Sequence, residues 1–159
     1  MDKPDVKIRT AKLSDFEKIK ELNQLLFHSD FKFDKTLKLD WPKSEIGINY
    51  YKERLKSDDS CVFVAAIYDE IVGYLIGNVA ESASYRKLDK FGELENMFVL
   101  EKYRNLKIGS KLVAMFIDWC KIKNIKRIRT EASAANKKAI DFYKKNGFEE
   151  YNLVLEGNI

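Results

Sequence analysis

Cysteine, histidine and proline are nearly missing from this 159-residue chain, which has only Cys61 and Cys120, a single His28, and two prolines. Two cysteines in separate elements suggest neither a disulfide framework nor a cysteine metal cluster. One histidine without a partner cluster gives no basis for a zinc site or a Ser-His-Asp triad. Seven glycines and two prolines, none clustered, exclude a linker-like or low-complexity stretch, and no internal repeat is present. No apolar run approaches the ~20 residues of a membrane helix. The opening Met1-Asp2-Lys3-Pro4-Asp5 lacks the apolar centre of a secretory signal. A cytoplasmic setting without a membrane partner is the expectation.

Charge of one sign is also in short excess, with 29 Lys and Arg against 25 Asp and Glu. The densest basic segment, Lys121 to Arg129, alternates cations with Ile122, Ile125 and Ile128. That is the pattern of a solvated helix end and strand, and it lacks the groove-entering partners of a nucleic-acid footprint. No nucleic-acid partner is expected. Apolar residues at 45% and charged residues at 34% describe an ordinary globular chain, long enough for one core, so residues 1–159 read as one domain.

Val6-Lys7-Ile8-Arg9 alternates as a first strand. Ser14-Asp15-Phe16-Glu17 has the form of a capping box, after which Phe16, Ile19, Leu22 and Leu25 or Leu26 share one helical face. Residues 27–39 read as loop. A second helix starts around Pro42-Lys43-Ser44 and carries Ile46, Tyr50, Tyr51 and Leu55 towards Lys56. The apolar run Cys61–Ile67 predicts a strand covered on both faces, and Tyr68-Asp69-Glu70 turns it into a strand over Ile71–Val79. Glu81–Lys90 reads as loop and Glu93–Leu100 as strand. Ile108 to about Lys123 is the central amphipathic helix, with Ile108, Leu112, Phe116 and Trp119 in one stripe. Ile125–Glu131 reads as strand, Asn136–Lys145 as a helix closed by Asn146-Gly147, and Phe148–Leu155 as the last strand. The order β-α-α-β-β-β-α-β-α-β is one mixed α/β (α+β) arrangement. Its hairpins form an antiparallel part, and its late β-α-β unit a parallel pair.

The most informative stretch runs from Leu94 to Ser110. An apolar strand bearing one carboxylate, Leu94-Glu95-Asn96-Met97-Phe98-Val99-Leu100, passes through Glu101-Lys102-Tyr103 into Arg104-Asn105-Leu106-Lys107-Ile108-Gly109-Ser110. A loop that opens a helix presents unpaired N–H groups to an anion, and the helix dipole adds to the attraction. Here the chain resembles the GNAT family of N-acetyltransferases, which move an acetyl group from acetyl-CoA to an amine. The family's loop, Arg/Gln-x-x-Gly-x-Gly/Ala, stands as Arg104-x-x-Lys107-x-Gly109. Its second block stands as Asn136, Ile140-Asp141-Phe142-Tyr143 and Gly147-Phe148. Both blocks occur in order over roughly the last two-thirds of the chain.

The resemblance implies the GNAT-type acyl-CoA N-acyltransferase fold, a central mixed, mostly antiparallel sheet flanked by helices. It implies acetyl-CoA as co-substrate, no metal, and direct transfer to the primary amine of a small molecule, such as a polyamine or an amino-acid-like amine. A peptide or protein amine is the alternative acceptor. Lys107, where many members carry Gly, keeps a non-catalytic acyl-CoA sensor as a second class. A homodimer is left open. By the same resemblance, residues Arg104, Asn105, Leu106, Lys107, Ile108, Gly109 and Ser110 grip the CoA diphosphate. The backbone of Met97, Phe98 and Val99 lines the pantetheine arm, and Asn136 touches it besides capping its helix.

Two side chains carry the expected chemistry. Tyr143 stands at the family's tyrosine position; a phenol with pKa ~10 stays protonated at neutral pH and can donate to a departing thiolate. Glu95 is a carboxylate inside an apolar strand, costly unless it meets a partner or ligand, and is the expected base, with Glu93 behind it. Strand alternation predicts Glu93, Glu95 and Met97 on one face, with Leu94, Asn96 and Phe98 on the other. His28, Trp41, Tyr50, Tyr51 and Tyr85 either line the acceptor pocket or pack and cover the fold.

Overall fold

The longest apolar strand sets the centre of the sheet. The computed structural model describes residues 4–159, so the opening residues 1–3 and their polar reading lie outside the described residues. Every residue of β2 (Ser60–Ile67) is buried, as a strand covered on both faces requires. Tyr68 and Asp69 turn with φ of 49° and 65°, the left-handed pair of a type I′ hairpin, into β3 (Glu70–Glu81). On the far side of β2 lies β1 (Lys7–Thr10), and on the far side of β3 lies β4 (Lys90–Val99), each pairing antiparallel. The helix α3 (Ile108–Ile122) then crosses over and delivers β5 (Ile128–Thr130) parallel to β4. The sheet order is β1-β2-β3-β4-β5. The remaining helices are α1 (Phe16–Asp30), α2 (Glu45–Lys56) and α4 (Lys137–Lys145).

Two cores sandwich this sheet. Ile19 and Leu22 of α1 and Tyr51 of α2 bury against Val62, Val64, Tyr74, Ile76 and Phe98. On the opposite face α3 lays Leu112, Val113, Phe116 and Cys120 on Phe63, Leu75 and Leu94. Each such side chain contributes roughly 1.5–3 kcal/mol by leaving water. Gly77 lets α3 come this close, because a Cβ there would stand 2.5 Å from the Phe116 ring. The result is the mixed, mostly antiparallel sheet between helices that the residue pattern predicts. No helix among the described residues is long and apolar enough to cross a membrane.

Several elements depart from expectation for identifiable reasons. No capping box forms at Ser14, which sits in a 3-10 turn, Leu13–Asp15. Asp15 takes over instead: it accepts from the Lys12 backbone at 2.7 Å and from Arg9 at 2.7 and 3.0 Å, so strand and helix are tied by a bidentate ion pair. That pair holds the Asp15 carboxyl below its ordinary value. The first helix runs on through Asp30, absorbing residues expected as loop. Conversely, β4 begins at Lys90 rather than Glu93, because Phe91 is buried and paired with Ala80. The expected strand over Phe148–Leu155 does not form. Its outer template, β5, is only three residues long, and Leu153-Val154-Leu155 does not alternate, leaving all three more than 70% exposed.

Candidate active site

The register of β4 decides what its carboxylates face. Gly77 of β3 pairs with Leu94 and Ile76 pairs with Asn96, so Glu95 is an extra residue without a partner across the ladder. This is a β-bulge, which breaks alternation and re-aims the side chains around it. Leu94 and Met97 both join the α3-side core, while Phe98 joins the α1/α2-side core. The expected face assignment is therefore corrected: Leu94 does not share a face with Asn96 and Phe98, and Met97 does not share one with Glu95. Glu95 and Asn96 both turn towards α2.

There the Glu95 carboxylate is held on three sides. Arg54 donates through Nε to Oε2 at 2.8 Å and through Nη2 to Oε1 at 2.7 Å, and the Tyr50 hydroxyl donates to Oε2 at 2.7 Å. The charges share a part-buried site, with the two side chains 17% and 16% exposed. A planar guanidinium fork fixes a carboxylate in position and orientation. Behind it runs a polar chain: Asn96 Nδ2 donates to Tyr50 Oη at 2.8 Å, Asn23 Nδ2 donates to Asn96 Oδ1 at 3.3 Å and to Tyr74 Oη at 2.6 Å, and Tyr51 Oη donates to Asn23 Oδ1. Asn23, Tyr51 and Tyr74 are 1% exposed or less, and a satisfied buried network of this kind is rigid. Burial drives the Tyr50, Tyr51 and Tyr74 hydroxyls above their ordinary pKa, so they stay protonated donors.

Glu93 lies on the same side without such a clamp. No hydrogen bond or ion pair to it is found among the described residues. Burial, followed by the negative charges of Glu95 and Glu131, raises its carboxyl pKa above the ordinary range.

On the other edge, β5 pairs with β4 only from Gly92 to Leu94. Thr130 Oγ1 donates to Leu94 O at 3.1 Å and closes the ladder. Beyond it the strands part, so Met97, Phe98 and Val99 have no strand partner on that side, an edge that an extended ligand can join. Across the gap, Tyr143 of α4 is packed edge-on between Phe142 and Phe148, with ring centroids at 5.3 and 5.4 Å. Burial raises its hydroxyl pKa, the Thr130 hydroxyl beside it opposes the rise, and Asp30 adds to it.

The loop at the end of β4 is a 3-10 turn, Glu101–Leu106, which contains Arg104 and Asn105. Lys107 follows with φ 58° and ψ 20° and no side chain caps the helix it opens. The N–H groups of Ile108, Gly109 and Ser110 are thus open at the positive end of α3, as an anion cradle needs. Arg104 is exposed but anchored back onto the strand: its Nε donates to Val99 O at 3.0 Å and its guanidinium lies over the Phe98 ring. A Cβ on Gly109 would stand 3.0 Å from the Phe142 ring, so this glycine seats α4, and Tyr143 with it, against α3. Asn136 caps α4, its Oδ1 accepting from Ala139 N at 3.1 Å.

A family model described as Acetyltransferase (GNAT) family matches residues 20–148. The chain belongs to the GNAT family. It is an acetyl-CoA-dependent N-acetyltransferase. Among its relatives is the N-alpha-acetyltransferase of Sulfurisphaera tokodaii, 28% identical over 94% of this chain and 84% of the relative. The N-alpha-acetyltransferase of Sulfolobus acidocaldarius is 26% identical over 96% of this chain and 84% of its own length. An aminoglycoside N-acetyltransferase, AAC(6')-Iy in complex with CoA, shares the fold with a TM-score of 0.77 at 18% identity, covering 99% of this chain and 97% of its own.

Sequence reading missed Arg54 and Asn23 in this GNAT site. Both signals were present: Arg54 lies one turn after Tyr50 on the same face of α2, and Asn23 is a polar residue beside Leu22 on the buried stripe of α1. His28 is exposed in the last turn of α1, and Trp41 stacks on Phe27 and packs against Tyr50 and Tyr51. Tyr85 is 82% exposed in the β3–β4 loop.

The loop lysine gives a first testable consequence. An L-residue other than Gly costs roughly 1–2 kcal/mol in the left-handed region, part of which glycine returns as unfolded-chain entropy. Lys107→Gly is expected to stabilise the fold by about 0.5–1 kcal/mol, seen as a higher urea midpoint. A lower midpoint would show that the lysine side chain gains more than its backbone loses.

Proposed function

We propose that the chain, acting as one domain over residues 1–159, acetylates the α-amine at the start of a polypeptide. Acetyl-CoA supplies an activated acetyl thioester when bound. The N–H groups of Lys107, Ile108, Gly109 and Ser110 would hold its diphosphate, and the free edge of Met97, Phe98 and Val99 its pantetheine arm, with Asn136 beside it. Arg104, Asn105 and Leu106 shape the loop. The observation that carries this reading is the pair of carboxylates, Glu93 and Glu95, on the α2 side of the same strand whose free edge would take the cofactor, with the bulge turning Asn96 beside them to hold Tyr50 against Glu95.

Glu95, held in place by Arg54 and Tyr50, is a fixed carboxylate that orients an ammonium group. Glu93, unclamped and made more basic than an ordinary glutamate by burial, takes the proton that the ammonium must lose before it attacks. Tyr143 holds the proton for the departing sulfur. The polypeptide acceptor is supported by the relatives named N-alpha-acetyltransferase, which align over most of this chain. A small cationic amine is the second reading, favoured by the two neighbouring carboxylates of Glu93 and Glu95.

Thiol release from acetyl-CoA, measured over peptides with free N-termini, polyamines, amino acids and an aminoglycoside, tests the acceptor. Turnover on free-amine peptides, and none on the same peptides already acetylated, is the expected result. Turnover confined to polyamines would shift the assignment to the second reading. Calorimetric binding of acetyl-CoA without release on any amine would leave only a sensor.

A further inference from the structure

A second site lies at the opposite end of β4 from the cofactor loop. The β3–β4 connection, the start of β5 and the C-terminal segment enclose a cavity of about 310 Å3 lined by Ser82, Arg86, Lys87, Arg127, Arg129 and Tyr151 among others. Three guanidiniums converge on one ring: Arg86, Arg127 and Arg129 lie 5.2, 4.7 and 5.5 Å from the centroid of Tyr151. Arg86 also donates to the Tyr151 hydroxyl, and Arg129 stacks on Phe91 at 4.0 Å. No carboxylate lies within ion-pair distance of any of the three among the described residues, and only Arg129 feels one at longer range, that of Glu93. Ser82 adds a hydroxyl that is closed off from solvent yet has no hydrogen-bond partner.

Such convergence of like charge is unfavourable unless an anion completes it. The Tyr151 and Phe91 rings hold the guanidiniums together by cation–π attraction, and a guanidinium presents the forked N–H donors that suit a carboxylate or phosphate. The cofactor's diphosphate is not the candidate. The ten residues of β4 put its cradle roughly 30 Å away along the strand.

The direction of the site points to the acceptor. Gly92 and Leu94 face α3, so Phe91 and Glu93 point to the other face, and Arg129 is the register partner of Glu93. The arginines therefore continue the surface that carries Glu93 and Glu95. At ~3.3 Å per residue, Phe91 lies roughly 7 Å from Glu93 and roughly 13 Å from Glu95, the span of two to four residues of an extended peptide.

We propose that this arginine cavity is an acceptor subsite that binds an acidic side chain at the second to fourth position of a peptide whose amine sits at Glu93 and Glu95. The inference rests on the polypeptide reading above, and it deepens that reading into a preference for acidic N-termini. Arg127 and Arg86 supply the forks, while Arg129 and Tyr151 set their planes.

Two readouts test it separately. The first is calorimetric binding of the acetylated peptide acetyl-Ser-Glu-Glu-Glu against acetyl-Ser-Ala-Ala-Ala, which needs no turnover. The acidic peptide is expected to bind on the order of tenfold tighter, with the margin shrinking as salt rises. The Arg86→Gln/Arg127→Gln double variant is expected to erase that margin, and Arg127→Lys to retain part of it. The second readout is acetyl transfer to the free-amine forms, where the double variant should raise KM for the acidic peptide about tenfold and leave kcat, and both constants for the alanine peptide, in place. Equal affinity for the two acetylated peptides in the wild type would overturn the subsite, as would a margin that survives the double variant. Tighter binding of a short oligothymidine than of the acidic peptide would overturn it in favour of a phosphate backbone. Binding at the arginines without transfer to any free-amine peptide would sink the polypeptide reading while leaving the anion site standing.

Discussion

Tyr143→Phe is expected to lower kcat on the order of 10²-fold or more while leaving acetyl-CoA affinity nearly unchanged. The substitution removes one hydroxyl and keeps the ring. Packing between Phe142 and Phe148 is therefore preserved, and α4 has no reason to move. What disappears is a buried proton. The hydroxyl is held protonated by desolvation, and a thiol of ordinary pKa ~8.5 is a poor leaving group as a bare thiolate in such a setting. A leaving group that already carries its charge comfortably needs less help. An acetyl thioester with a more acidic thiol should thus narrow the gap between wild type and variant. Calorimetry for affinity and stopped thiol release for rate separate the two effects. A rate within a few-fold of wild type would remove Tyr143 from proton donation and leave it a packing residue.

The sheet is largely legible in the sequence, and the reasons are local. β2 announced itself through an uninterrupted apolar run, α3 through its stripe of Ile108, Leu112, Phe116 and Trp119, and α4 through Asn136 at one end and Gly147, with φ 90°, at the other. What failed was of a different kind. The bulge at Glu95 leaves no mark in composition, because one inserted residue in a ladder is a property of two strands together. It nevertheless reverses which neighbours Leu94 and Met97 meet. The Arg54 clamp was hidden for the same reason, since its partner is 41 residues away. The C-terminal strand over-read three apolar residues that have nothing to pair with.

Exchanging the two carboxylates one at a time separates orientation from proton transfer. Glu93→Gln is expected to cut kcat/KM at neutral pH on the order of 10²-fold and to abolish the acid limb of the pH profile. The sign follows from the raised carboxyl pKa. A base works only when deprotonated, so wild-type activity is full above that value and falls as pH drops through it, at higher pH than an ordinary glutamate would give. Glutamine neither titrates nor accepts the proton, so the variant should be slow and flat across the same range. Glu95→Gln should behave otherwise. It removes the negative partner of a part-buried guanidinium and breaks one end of the chain through Tyr50, Asn96 and Asn23. A loss of about 2 kcal/mol of stability is expected, together with a lower rate whose acid limb persists, shifted towards lower pH because the Glu95 charge no longer raises Glu93. If the acid limb vanishes with Glu95→Gln and survives Glu93→Gln, the proton acceptor is Glu95, and Arg54 must release it during the cycle.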